Sequence, residues 1–201
     1  IRGDDLLHAA LRSEGVTGVV LGHTRWASIG IASEPTAHPQ SSDEVPGSTA
    51  VVPAEGHFAT AVLNGDVDNH AELAATEGLS PPVEVTCDAK VIPTLWRRAM
   101  LSGSTRPFQA FRETVARMEG SVAIAATSTV EPGEITLALR GSGQALYVGV
   151  ADDAFIVASE PYGVVEETNR YLRMDGETPS DPANPAGSRG QVVSVRSESV
   201  G

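Results

Sequence analysis

The sequence lacks several features that would mark particular classes of protein. Lys90 is the only lysine, and 26 acidic against 14 basic residues give a net charge of −12, so no basic cluster could hold nucleic acid or an anionic membrane surface. Cys87 is the only cysteine, which excludes an intrachain disulfide framework and a cysteine-rich zinc site. The longest apolar runs fall far short of the roughly 20 residues that a membrane-spanning helix needs. Ile1 is followed by acidic residues rather than by the basic and apolar regions of a signal peptide.

The composition that remains is that of an acidic globular protein. Of the 201 residues, 41% are hydrophobic and 20% are charged, which is enough apolar material for a sizeable core. No internal repeat or interior boundary is apparent, so residues 1–201 are predicted to form one domain. The single cysteine favours a cytoplasmic location, and neither nucleic acid nor a membrane is expected as a partner.

The hydrophobic pattern predicts an α+β fold in which antiparallel strands pack against helices. Helices are predicted over residues 4–14, 66–77, 88–101 and 107–118, the third broken near its start at Pro93. Strands are predicted over residues 19–21, 58–63, 121–127, 134–140, 145–150, 154–159, 164–166, 170–174 and 191–195. Because only turn residues separate the four strands between 121 and 159, we expect them to form one antiparallel meander. Asn64-Gly65-Asp66 is predicted to be the turn that ends strand 58–63, and residues 31–53 are predicted to be an irregular loop.

Three short polar segments occur where the predicted scaffold could present binding groups. They are residues 22–28, Asn64-Gly65 and residues 86–88, and two of them directly follow predicted strands. Arg25 could grip a carboxylate through two parallel hydrogen bonds, although a surface ion pair is the commoner use of such an arginine.

The other polar residues of these segments also allow two interpretations. The Asn64 amide and the Gly65 N–H could stabilise an oxyanion, but the same dipeptide also serves ordinary turns. Asp88 could receive an ammonium group, or it could be a helix N-cap. Trp26 is an aromatic residue that belongs more often to a core than to a site.

Thiol and metal chemistry have little support in the residue spacing. Cys87 has no neighbouring histidine, and a lone cysteine is usually a small buried hydrophobe. The five histidines show neither HxH nor HExxH spacing, so no metal and no cofactor is expected.

Taken in chain order, several short motifs together resemble one family. The motifs are Gly22-His23-Thr24-Arg25-Trp26-Ala27-Ser28, Ala37-His38-Pro39, Asn64-Gly65 with Asn69, Asp88 with Val91-Ile92, Glu119-Gly120-Ser121, Arg140-Gly141-Ser142 and Phe155-Ile156-Val157-Ala158-Ser159. They are similar to the glutamine amidotransferase domain of the glutamine–fructose-6-phosphate aminotransferases, and the resemblance covers nearly the whole chain.

That resemblance implies a fold, an activity and a set of partners. The fold would be the N-terminal-nucleophile hydrolase sandwich, in which two antiparallel sheets lie between helices in four αββα layers. Family members hydrolyse L-glutamine and pass the ammonia to a sugar-phosphate isomerase domain of the same or a partner chain. The implied site residues are Arg25 for the α-carboxylate, Asp88 for the α-ammonium, Ser28 and Ile29 for the pocket wall, Trp26 for a gate, and Asn64 with the Gly65 N–H for the oxyanion hole.

The sequence also departs from the family pattern. The family nucleophile is an N-terminal cysteine, whereas this sequence starts at Ile1, so we expect residues 1–201 to lack the N-terminal segment and to release no ammonia alone. Family histidines are replaced at Ile29, Gln40 and Leu63. These replacements favour an alternative, a non-catalytic glutamine-binding regulatory module, and a purely structural domain is a third hypothesis. The ammonia acceptor and a homodimeric state are left open.

Overall fold

The computed structural model describes residues 18–25, 28–44, 57–102, 106–179, 181–184 and 189–196. The predicted helix at 4–14, Trp26 and residues 45–53 of the predicted loop at 31–53 lie outside these residues.

Eight strands and four α-helices are found in the described residues. The strands are β1 (Gln40–Ser41), β2 (Ala59–Val67), β3 (Gly120–Ser128), β4 (Glu134–Arg140), β5 (Tyr147–Val150), β6 (Phe155–Ala158), β7 (Tyr171–Arg173) and β8 (Gln191–Arg196). The α-helices are α1 (His70–Glu77), α2 (Val91–Leu101), α3 (Pro107–Ala116) and α4 (Tyr162–Val165), and short 3-10 turns occupy Glu34–Thr36 and Asp88–Lys90.

The strands form two antiparallel sheets. The larger sheet has the order β1-β2-β3-β4-β8, and the smaller has the order β6-β5-β7. The predicted single meander is therefore wrong, because β4 pairs with β8 rather than with β5. Gly141 and Gly143, between β4 and β5, both have positive φ angles, which allow the chain to turn out of the first sheet here.

Both faces of the larger sheet are buried, which gives the fold its layers. On one face, Ile124 and its neighbours pack against α2 and α3, where Trp96 and Phe111 make an edge-to-face contact with ring centroids 5.1 Å apart. On the other face, residues such as Leu137 pack against Val148 of the smaller sheet. The short helix α4 covers the outer side of that second sheet, where Val164 lies against Gly149. The order of layers is helix, sheet, sheet, helix, which confirms the predicted fold class.

Strand β2 continues past the point where a turn was predicted. It runs through Asn64 and Gly65 to Val67 and stays paired with β3 over its whole length. The glycine enters this pairing with φ near +107°, a conformation that a side chain would strain. The local turn signal of Asn-Gly was overridden by strand pairing, so the turn prediction is wrong.

Several other boundaries also differ from the predictions. Residues 164–166 are not a strand, because Val164 belongs to helix α4 and fills the space over Gly149. Residues 19–21 have no strand assignment, and α1 begins at His70 instead of residue 66. Pro93 lies in the first turn of α2 and does not break the helix, because its missing N–H is not needed there.

Candidate functional site

A cavity of about 560 Å³ opens between the two sheets beside strand β2. Its apolar lining comes from the core between the sheets and includes Val62 and Leu146. Polar residues from separate segments of the chain line the rest of it. Of the predicted site residues, Arg25, Ser28, Asn64, Gly65 and Asp88 all line this cavity.

The two remaining predicted site residues are Ile29 and Trp26. Ile29 is not among the residues that line the cavity, but its carbonyl oxygen accepts a hydrogen bond from the Arg25 Nη2. Trp26 lies outside the described residues.

The guanidinium of Arg25 is oriented by neutral partners. Its Nη1 donates to Thr36 Oγ1 at 3.4 Å, and its Nη2 donates to the Ile29 carbonyl. No salt bridge joins Arg25 to an acidic residue anywhere in the described ranges. Since a guanidinium has five N–H donors, the remaining ones are free to face a ligand carboxylate.

Asp88 ties the end of β2 to the start of α2. It is 4% exposed, and its Oδ2 accepts a hydrogen bond from the Val67 N–H at 2.8 Å. Burial raises the pKa of this carboxyl above its usual value, and the charge of Asp66 acts in the same direction, while the Val67 hydrogen bond opposes both. Cys87, not Asp88, occupies the N-cap position of the 3-10 turn, so the N-cap interpretation of Asp88 is wrong.

Gly65 allows β2 and β3 to approach closely at the cavity. A Cβ atom added at this position would lie 2.0 Å from the Ser121 carbonyl oxygen and 3.2 Å from the Gln144 side chain. Both Asn64 and Gly65 remain paired in the sheet, opposite Ala123 and Val122. The pair is thus held on a rigid strand, which is what a preorganised hydrogen-bond donor requires.

The cavity contains a second aspartate that the sequence analysis did not select. Asp66 lines the cavity and accepts a hydrogen bond from the Ser28 hydroxyl. It directly follows Asn64-Gly65 in the sequence, so its position beside that dipeptide could have marked it as a site residue. Gln144 and Glu160 also line the cavity, but they come from the region of the smaller sheet, and no local pattern in the sequence marks them.

Two histidines pack against each other in the wall of the cavity. The ring centroids of His23 and His38 are 4.7 Å apart, with 41° between the ring planes. The Leu63 N–H donates to His38 Nδ1 at 3.4 Å. Burial lowers the pKa of both imidazoles, helped by the nearby charge of Arg25, and that of His38 falls to about 4.

Cys87 is not placed for nucleophilic chemistry. It is 5% exposed, it is not among the residues that line the cavity, and burial raises the pKa of its thiol. A raised pKa reduces the thiolate fraction that a nucleophile needs. Within the described ranges, no group of three or more His, Cys, Asp and Glu side chains could hold a metal ion, and no helix is long and apolar enough to cross a membrane.

Comparison with known proteins relates the chain to a group of bacterial enzymes. It is 32% identical over 172 residues to the glutamine–fructose-6-phosphate aminotransferase (isomerizing) of Neisseria meningitidis serogroup B, a match over 85% of this chain and 26% of that protein. The enzyme of the same name from Geobacillus kaustophilus is 32% identical over 160 residues, 79% of this chain and 24% of that protein. This chain is a homologue of those aminotransferases. It spans about a quarter of the length of the curated relatives that it matches, and no protein-family model matches it.

The fold of this aminotransferase homologue is also found in solved structures of other enzymes. The glutamine phosphoribosylpyrophosphate amidotransferase from B. subtilis matches with a TM-score of 0.58 and 21% identity, over 87% of this chain and 34% of that one. A structure described as the allosteric regulatory enzyme of purine biosynthesis matches with a TM-score of 0.52 and 22% identity, over 72% of this chain and 29% of that one. At these identities the two matches show that the chain shares its fold, two antiparallel sheets between helices, with these enzymes.

Proposed function

We propose that this chain is a glutamine-hydrolysing domain that binds L-glutamine in the cavity beside β2. One observation carries the proposal: a guanidinium and a buried carboxylate line the same cavity, and neither forms a salt bridge with a described residue. Burying a charge without a counter-charge is costly. A zwitterionic amino acid would supply both counter-charges, its carboxylate to Arg25 and its ammonium to Asp88.

The proposed chemistry is hydrolysis of the side-chain amide. The Asn64 amide and the Gly65 N–H would donate hydrogen bonds to the oxygen that becomes negatively charged when the amide carbon is attacked. Because Cys87 is buried and does not line the cavity, we assign the attacking thiol to no residue of positions 1–201 and give it to the N-terminal cysteine that the family resemblance implies. Residues 1–201 would then bind glutamine without releasing ammonia.

The relatives suggest the wider setting of the domain. Their names describe an aminotransferase that acts on fructose 6-phosphate and isomerizes it. We therefore include in the proposal a sugar-phosphate isomerase domain, in the same or a partner chain, that receives the ammonia. A cytoplasmic location and a homodimer belong to the same proposal.

Calorimetric titration with L-glutamine tests the binding step. Replacing Arg25 by Gln should weaken binding by about tenfold or more, since a charge-assisted bidentate contact is lost. The matched control is Arg112→Gln, because Arg112 is exposed and its guanidinium contacts only the neighbouring Gln109 among described residues.

A ligand series makes this test specific to the carboxylate. Wild-type protein should bind 4-aminobutanamide, which is glutamine without its α-carboxylate, far more weakly than glutamine. The Arg25→Gln variant should bind the two ligands nearly equally. An Arg25→Gln variant that binds glutamine as tightly as the wild type would refute the proposed orientation.

The non-catalytic module remains the second candidate, and one observation favours it. Three positions at which the family resemblance expects histidines hold Ile29, Gln40 and Leu63. Ammonia release by the full-length protein separates the two functions. Glutamine binding combined with no ammonia release by that protein would favour the regulatory module over the enzyme.

A further inference from the structure

His38 contacts both of the segments that shape the cavity. It lies just before strand β1, in which Gln40 pairs with Ala61 of β2. Two residues further along β2, the Leu63 N–H meets the His38 imidazole Nδ1 rather than a backbone carbonyl. The side chain thus takes over the role of a ladder acceptor, one residue before Asn64.

This hydrogen bond fixes the protonation state of the ring. An Nδ1 that accepts from an N–H carries no proton, so the ring is neutral and its hydrogen is on Nε2. Adding a proton to Nδ1 would turn the acceptor into a second donor facing the Leu63 N–H, and the bond would be lost. The Nε2 atom is buried and finds no acceptor among the described residues.

The other side of the ring faces the segment that carries Arg25. His23 packs against His38, and it lies two residues before Arg25. Burial, His23 and Arg25 all lower the pKa of His38, and the backbone of Leu63 acts in the opposite direction without cancelling them. The acidic groups that line the same cavity are Asp66, Asp88 and Glu160.

We infer that His38 is a positioning residue. Its neutral imidazole connects β2, next to Asn64 and Gly65, with the segment that carries Arg25, and protonation of the ring would break its hydrogen bond to β2. The inference rests on the proposed function only in taking the cavity to be the glutamine pocket. It assigns to His38 no contact with the reacting atoms.

Two replacements of His38 separate its hydrogen bond from its bulk. Asparagine places an acceptor oxygen near the position of Nδ1 and does not titrate, whereas leucine fills space and accepts nothing. At pH 7.5, His38→Leu should weaken glutamine binding by roughly three- to tenfold, the effect of one lost hydrogen bond, and His38→Asn should restore most of that loss. Equal affinities for wild type and His38→Leu would overturn the inference.

A pH series supplies a readout that simple packing would not change. Glutamine stays zwitterionic from pH 7.5 down to about pH 3.5, because the α-carboxyl of a free amino acid ionises at a still lower pH, so changes in affinity over this range come from the protein. The wild type should lose affinity relative to His38→Asn as the pH falls towards 4, and protonation of Asp88 affects both proteins alike. His57→Asn is the control, because His57 does not line the cavity, and it should follow the wild-type curve. Superimposable curves for wild type and His38→Asn would contradict the inference.

Nitrogen NMR of the imidazole tests the geometry without any ligand. At pH 7.5, His38 should show the neutral tautomer with its proton on Nε2, and the Leu63 amide signal should shift in His38→Leu. A proton on Nδ1 would overturn the inference even if glutamine binds. The expected tautomer in a protein that binds no glutamine would leave the role of His38 standing and refute the proposed function instead.

Discussion

At the scale of single residues, Asp88 combines a structural hydrogen bond with a place in the lining of the cavity. Its Oδ2 atom accepts from the Val67 N–H, the Ala89 backbone also stabilises its charge, and the carboxylate lines the cavity in which the proposed ammonium group would bind. The buried carboxylate is destabilised by its surroundings, as its raised pKa shows. A bound ammonium would offset that cost, so ligand binding and the charge of Asp88 should be coupled.

We predict that Asp88→Asn separates these two roles. An asparagine oxygen can still accept from the Val67 N–H, but it carries no charge, so glutamine affinity should fall about tenfold or more with little change in thermal stability. Titration calorimetry and thermal unfolding measure the two effects. The control is Glu72→Gln, which removes an exposed acid from α1. If Asp88→Asn bound glutamine as the wild type does, Asp88 would not be the ammonium partner.

Residue-level patterns predicted the members of the site only in combination. Arg25, Asn64 and Asp88 each had an ordinary structural interpretation, and the resemblance to a family selected the functional one. In the described residues Arg25 has no ion-pair partner, and the structure excludes the N-cap interpretation of Asp88. The roles of these residues in glutamine binding stay predictions.

At the scale of elements, strand β2 forms one wall of the cavity. Because Gly65 has no side chain, the backbone of β3 can lie close to β2 at this position. A side chain at this position would meet the Ser121 carbonyl oxygen, and the positive φ angle adds strain. Backbone atoms on a central pair of strands cannot move aside easily, because each is held by its own ladder bonds.

We predict that Gly65→Ala lowers the free energy of unfolding by about 2–4 kcal/mol and weakens glutamine binding. The matched control is Gly78→Ala at the end of α1. Gly78 also has a positive φ, but a Cβ there meets nothing within 4 Å, so only about 1 kcal/mol should be lost. Chemical denaturation of both variants gives the comparison. Equal losses would show that the close approach at Gly65 is unimportant.

Elements with long periodic patterns were predicted well, and short ones were not. Strand β4 was predicted with its observed bounds, and α3 begins at the predicted residue, because their apolar residues recur regularly. Asn64-Gly65 was mistaken for a turn because its pairing with β3 is a long-range contact. The brief apolar run at 164–166 is a helix because Val164 packs over Gly149, which local periodicity does not encode.

At the scale of the whole molecule, the cavity exists because two sheets face each other. Arg25 lies in a loop and Asp88 in the 3-10 turn that packs on β2 of the larger sheet, whereas Gln144 and Glu160 reach the cavity from the region of the smaller sheet. The sequence predicted the class of fold, but it did not predict that the meander would divide after β4. For this reason no local sequence pattern marked the residues that line the cavity from the smaller sheet.

The central claim is that one zwitterionic amino acid spans the cavity from Arg25 to Asp88. A crystal structure of the chain with L-glutamine tests it most directly. We predict that the α-carboxylate lies within hydrogen-bond distance of the Arg25 guanidinium, that the ammonium contacts Asp88, and that the side-chain amide oxygen faces Asn64 and Gly65. Glutamine bound outside this cavity, or bound within it with its charged ends reversed, would contradict the account.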